Sequence, residues 1–162
     1  MSTAVDFTDF VRANTAPLLR TAFLLTGSAT GAEELVQDTL VRLYPQWQRV
    51  QAADVPLAYV RRAVTNGYLN QRRRTRELLT ETVPERAVDR SATDDLAARD
   101  EVWALLHRLG ERQRAALVLR FYDGLDDAEI AEALQCRQGT VRSLVSRGLA
   151  ALRAEMRSRQ AS

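Results

Sequence analysis

Apolar residues return every three or four positions along nearly the whole chain, a spacing that leaves little room for anything but helices. The clearest run is Ala32, Leu35, Val36, Thr39, Leu40 and Leu43, which follows i, i+3, i+4, i+7, i+8 and i+11 and so lines one face of a helix. No alternating β-branched stretch lies between turn signals, and glycine and proline number only 7 and 4 in 162 residues. The fold class expected is all-α.

The same periodicity divides the chain. A first helix covers about Phe7 to Leu25 and stops at Gly27, with Pro17 expected to kink it or to start its second half. Thr30-Gly31-Ala32-Glu33 fits a capping box that would open the second helix, and the pattern ends at Tyr44-Pro45. A third helix follows Asp54-Val55-Pro56, buries Leu57, Val60, Val64 and Tyr68, and runs into LNQRRRTR. Residues 1–76 thus read as a bundle of three to four helices. Residues 77–99 are acidic, contain Pro84 and hold few large apolar side chains, the composition of a flexible linker. Residues 100–162 read as a four-helix domain. Val102, Leu105, Leu106 and Leu109 form a stripe closed by Gly110, and Ala116 to Phe121 form a second helix ending at Asp123-Gly124. Asp126 and Glu129 make a capping box for a helix over 127–134, and Val141, Val145, Gly148, Leu149 and Leu152 stripe the last one.

The net charge of +2 conceals its distribution. Residues 49–76 carry seven arginines against one acid, and residues 135–162 carry six against one. Between them, residues 77–101 hold eight acids and three arginines. All 23 basic residues are arginine, whose planar fork donates paired hydrogen bonds to phosphate. Two basic blocks, each on a patterned helix, point to nucleic acid. One cysteine, Cys136, and one histidine, His107, cannot build a disulfide framework or a Cys/His zinc site. No metal or cofactor is expected. No apolar run approaches the roughly 20 residues of a membrane span, and the start lacks a secretory pattern, so the expected location is the cytoplasm.

The segment IAEALQCRQGTV, residues 130–141, places two amphipathic helices three residues apart, with small Ala131 where they would meet. That is a helix-turn-helix arrangement, whose second helix fits the major groove. Arg137, Gln138, Thr140, Arg142, Ser143 and Arg147 supply the donors and acceptors that base edges and phosphates take.

LGERQRAALVLRFYDGLDDAEIAEALQCRQGTVRSLVSRGLAALR resembles the C-terminal region of the extracytoplasmic-function group of bacterial RNA polymerase sigma factors, of the actinobacterial type. AEELVQDTLVRLY and AYVRRAVTNGYLNQRRR resemble that group's N-terminal domain. The resemblance implies a factor that binds RNA polymerase core and directs promoter DNA recognition, often under the control of an anti-sigma factor. It implies core polymerase contacts through Glu34, Gln37, Asp38, Val41 and Arg42. It places Tyr59, Arg61, Arg62, Asn66, Asn70 and Gln71 on the −10 strand with Arg72, Arg73 and Arg74 over phosphates, and the six residues from Arg137 to Arg147 on the −35 element. Tyr59 could equally stack on an unpaired base or belong to the core. Three positions depart from the group's pattern. Gln135 stands where glycine is common, Arg137 where a capping serine is usual, and Leu144 where arginine is common.

Two other functions fit parts of the chain. A conventional helix-turn-helix regulator would use residues 1–75 for dimerisation or sensing and bind DNA as a homodimer. An enzyme would need more than the carboxylates Glu33, Glu34 and Asp38, which helix ends and a solvated face explain. His107 has no triad partner in a glycine-rich elbow, and no phosphate loop is present, so no catalytic residue is expected.

Overall fold

The structure is a computed structural model that describes residues 6–79 and 101–161, and among these residues it contains helices and no strand. The N-terminal part is built from α1 (Phe7–Thr26), α2 (Ala29–Leu43), a 3-10 turn (Tyr44–Gln46), the short α3 (Trp47–Ala52) and α4 (Pro56–Leu79). The C-terminal part comprises α5 (Glu101–Leu106), α6 (Glu111–Leu117), a π-helical turn (Val118–Tyr122), α7 (Asp127–Leu134) and α8 (Gln138–Ala161). Among the described residues no helix is long and apolar enough to cross a membrane.

The striped faces meet as their periodicity requires. Leu18 and Leu25 of α1, Leu35 of α2, and Val60 and Val64 of α4 are fully buried, each removing apolar area worth about 1.5–3 kcal/mol from water. Trp47 of α3 closes the bundle's end, with Phe7 and Phe10 edge-on to it at 5.1 and 5.0 Å between ring centres. In the C-terminal part Leu119, Ile130 and Val141 form the centre. Gly148 lets α8 lie against α6, because a Cβ there would stand 2.9 Å from Leu117 Cδ1.

Several helix ends differ from the sequence expectation. α2 is capped by Ser28, whose hydroxyl accepts from the Gly31 N–H at 3.0 Å, rather than by a Thr30 capping box. The cause is Gly27: its left-handed φ of 71° ends α1 and throws the next residue straight into extended geometry, so the new helix starts two residues earlier. α1 passes through Pro17 as one continuous helix, with no separate second half. Gly110 caps the start of α6 instead of closing α5, which ends at Leu106. α4 continues through Leu79, so residues 77–79 of the expected linker are helical, and the rest of that linker lies outside the described residues. The Asp126–Glu129 capping box is formed in both directions, at 2.8 and 3.1 Å.

The two parts share one apolar cluster and pack directly on each other. Phe23 of α1 stacks with Trp103 of α5 at 6.1 Å, and the His107 ring nitrogen Nε2 lies 3.1 Å from the Leu24 carbonyl. Thr21, fully buried in α1, donates to Asp123 Oδ1 at 2.8 Å from the end of the π turn. Arg114 of α6 donates to the Tyr68 hydroxyl of α4 and lies over its ring.

Candidate nucleic-acid and polymerase interfaces

The helix-turn-helix is held by its own backbone. Gln135 takes the left-handed conformation at φ 54° and ψ 52°, and the Cys136 N–H bonds the Ala131 carbonyl at 3.0 Å, the closing bond of a Schellman motif. Arg112 caps the same helix end from α6, donating to the Leu134 carbonyl at 3.0 Å. α8 then starts at Gln138, one face packed through Val141, Val145 and Gly148. Arg137 at its N-cap, and Gln138, Thr140, Arg142, Ser143 and Arg147 along it, are all exposed. Only Arg142 meets a carboxylate among the described residues, Asp127 at 3.6 Å, and Asp127 is also paired with Arg120 of the π turn. The side chain of Arg142 stays 64% exposed, so most of its donors remain in water.

The outer face of α2 presents Glu34, Gln37, Asp38, Val41 and Arg42, all exposed. Val41 is 72% exposed although its neighbours on the inner face are fully covered. Tyr44, one turn further on, is 62% exposed and touches Phe7 edge-on at 4.9 Å. Sequence reading treated Tyr44 only as a helix end. Its i+3 spacing from Val41 is the signal that marks both as one apolar spot in a charged face.

The residues expected at the −10 strand lie on α4 in a different setting. Arg73 and Arg74 are exposed, but Tyr59, Arg61, Arg62, Asn66, Asn70, Gln71 and Arg72 are half-buried. Tyr59 is half-buried and packs against the core, as one of its two readings requires. Arg61 Nε stands 3.5 Å from Asp123 Oδ1 and its Nη1 donates to the Asp123 carbonyl at 3.4 Å. Arg62 pairs with Glu132 at 3.2 Å, and Glu111 takes both Arg72 at 2.6 Å and Arg76 at 3.7 Å. Asn66 and Asn70 line a cleft of about 230 Å³ shared with Arg112 and Gln135. Sequence reading did not find Glu111, Asp123 or Glu132, because nothing local to them announces a partner on a helix 35 to 70 residues away.

A buried carboxyl, Asp123, and a half-buried imidazole, His107, sit at this junction. Burial pushes the Asp123 carboxyl above its ordinary range, while the Thr21 hydroxyl and the Arg61 guanidinium pull it back. Burial, and next the Arg114 charge, lower His107 to about 4, so the ring is neutral at physiological pH. Among the described residues no group of three or more His, Cys, Asp or Glu side chains could hold a metal ion.

Comparison with known proteins gives the chain its relatives. Residues 10–77 match the pattern described as Sigma-70 region 2, and residues 99–152 match Sigma-70, region 4. The RNA polymerase sigma-E factor of Streptomyces avermitilis is 35% identical over 157 residues, covering 96% of this chain and 87% of the relative. The ECF RNA polymerase sigma factor SigL of Mycobacterium tuberculosis is 32% identical over 150 residues, covering 85% of this chain and 81% of the relative. The chain belongs to the extracytoplasmic-function sigma factors. Like the family, this sigma factor binds RNA polymerase core and directs promoter recognition at transcription initiation. Its fold is similar to that of the sigma factor RpoE of Bartonella quintana, crystallised in complex with the anti-sigma factor NepR. The TM-score is 0.74 at 22% identity, over 94% of this chain and 97% of that one.

Proposed function

We propose that three surfaces divide the work of initiation. The α2 face of Glu34, Gln37, Asp38, Val41 and Arg42, extended by Tyr44, grips core polymerase, with Val41 and Tyr44 as the apolar centre that a charged rim surrounds. α4 takes the melted −10 strand. Arg61, Arg62, Arg72, Arg73 and Arg74 follow the backbone, Asn66, Asn70 and Gln71 meet bases, and Tyr59 offers a stacking edge. α8 enters the major groove of the −35 element, with Arg137 and Arg142 near phosphates and Gln138, Thr140, Ser143 and Arg147 toward base edges. Residues 1–76 serve as the −10 and polymerase domain, 100–162 as the −35 domain, and 77–99 as the tether between them.

Support comes foremost from α8, whose six expected contact residues all point into solvent from a helix anchored on its other side. The chain itself carries out no chemistry, acts in the cytoplasm beside the polymerase, and is a fitting target for an anti-sigma factor. Run-off transcription with purified core polymerase on a library of genomic fragments tests the proposal. New start sites should appear only with the protein present, and Val41→Glu should abolish them while leaving the melting temperature unchanged. Start sites that survive Val41→Glu would remove α2 from the polymerase contact.

A further inference from the structure

Of the six residues that α8 offers to DNA, Arg142 alone meets a carboxylate among the described residues, and that carboxylate is itself fixed. Asp127 is the first residue of α7, directly after the Asp126 cap whose two-way box with Glu129 locks the turn. Its Oδ1 is ion-paired with Arg120 of the π turn, and its Oδ2 faces Arg142 Nη1 at 3.6 Å. The side chains of Asp127 and Arg120 are only 27% and 30% exposed, against 64% for Arg142. Arg120 thus anchors the carboxylate, and Arg142 is the partner left free to move. Its backbone is fixed as well, because Val141 beside it and Val145 one turn on are buried. Three elements, the π turn, α7 and α8, therefore converge to set where one guanidinium of the DNA face lies. A groove of about 340 Å³ opens beside them, lined also by Ser146 and Arg153 of α8, so Arg142 has room to leave the carboxylate.

An acid in the first turn of a helix is favoured by the helix dipole, but the dipole does not require it to meet an arginine of another helix. An ion pair this exposed also contributes little to stability, so its weight lies in what Arg142 can do. A guanidinium carries five donors in a rigid fork, and turning one nitrogen to Asp127 leaves the others for DNA. A phosphate that reaches Arg142 where it stands gains an arginine whose side-chain freedom is already reduced. A phosphate lying elsewhere must draw Arg142 off Asp127, which leaves a mostly buried carboxylate with one partner fewer and brings two negative groups together. We infer that Asp127 is a specificity-determining residue for the −35 element: it positions Arg142 so that this arginine engages DNA fully in one register of α8, and it penalises the others. Specificity is a difference between affinities, and a group that disfavours the wrong complex raises it as surely as one that favours the right one.

This inference rests on the −35 role proposed for α8, and its test keeps the two apart. Holoenzyme assembled from core polymerase and the full-length chain is given a promoter pool randomised over the −35 region, the rest being taken from a start site found by run-off transcription. Bound duplexes are sequenced, and competition then gives the affinity for the recovered −35 duplex and for a scrambled one. Asp127→Asn is compared with Asp9→Asn on α1, which changes the net charge equally at an exposed position. Preference for the recovered over the scrambled duplex should fall at least fivefold in Asp127→Asn relative to that control, while binding to the scrambled duplex holds or rises. In an Arg142→Ala background the same substitution should change the preference less than twofold. A merely structural role for Asp127 would weaken both duplexes together and lower the melting temperature. Should Asp127→Asn fold poorly, Asp127→Ser, which also suits a helix start, should give the same loss of preference. A preference equal to the control's overturns the inference, as does a parallel loss on both duplexes or a loss that persists without Arg142. A wild-type holoenzyme that recovers no preferred −35 sequence would instead remove the −35 reading by α8, and the positioning with it.

Discussion

α4 and α8 carry comparable arginine density yet live under different electrostatic rules. On α8 Arg142 and Arg147 are exposed on a helix held through Val141, Val145 and Gly148. On α4 three of the expected DNA contacts are already paired with acids from the partner domain. A cluster of positive charge in a sequence therefore marks a polyanion surface, but whether that surface is available depends on tertiary packing. The pair of Arg62 with the exposed Glu132 contributes little to stability, about 0–1 kcal/mol.

The contrast can be broken most severely at the mount of α8. Ile130 of α7 is fully buried, and Ile130→Ala should cost about 2–5 kcal/mol of unfolding free energy, read by urea denaturation. Duplex binding should weaken with it, because the recognition helix loses its platform. A variant with wild-type stability would show that the α7–α8 packing is not what fixes α8.

Next in size is the junction itself. His107 is neutral when folded, with a pKa near 4 against 6.5 unfolded, so the unfolded chain binds the extra proton between those values. Stability from this residue is fully present above about pH 6.5 and is lost as pH falls toward 4, by about 2 kcal/mol given its partial exposure. Asp123 has the opposite sign: its raised pKa makes the folded state the better proton acceptor, so its contribution grows on acidification. The two are separated by His107→Gln, which should flatten the decline in melting temperature between pH 6.5 and 4.5. An unchanged decline would assign it to other groups.

Smaller effects sharpen the view of α8. Arg137 sits at the N-cap position, where serine would satisfy a backbone N–H. Arg137→Ser should stabilise the protein by about 1 kcal/mol while reducing the slope of log K against log salt for −35 binding by about 1. An unaltered slope would mean that Arg137 touches no phosphate. Gln135→Gly should relieve the left-handed strain, a net gain of about 0.5 kcal/mol once the greater freedom of unfolded glycine is subtracted, measured as a small rise in the urea midpoint.

The fold was legible wherever a stripe of apolar residues faced a single core, since burial enforces the same three- and four-residue spacing that the eye reads. α2, α7 and α8 emerge in this way. α3 was missed because six residues are too few for a period, and the Ser28 cap because Gly27 acts on its neighbour through backbone geometry rather than through a motif. The exposed faces of α2 and α8 could be named residue by residue, for a polar position on a striped helix has nowhere else to point. The state of α4 could not. Its arginines meet Glu111, Asp123 and Glu132 only after the chain returns on itself, and a charge carries no record in sequence of which opposite charge will be brought to it.

Whether the α4 surface opens when the protein goes to work is measured most directly by an intramolecular distance. With Cys136→Ser as background, labels at Leu78→Cys on α4 and Ala128→Cys on α7, both exposed positions, report the separation of the two domains. The free chain should give one short distance, and the same labelled chain in a transcribing holoenzyme a single longer one. A short distance retained while run-off product accumulates would contradict the division of labour between α4 and α8, since α4 would then be initiating with its arginines still held by Glu111, Asp123 and Glu132.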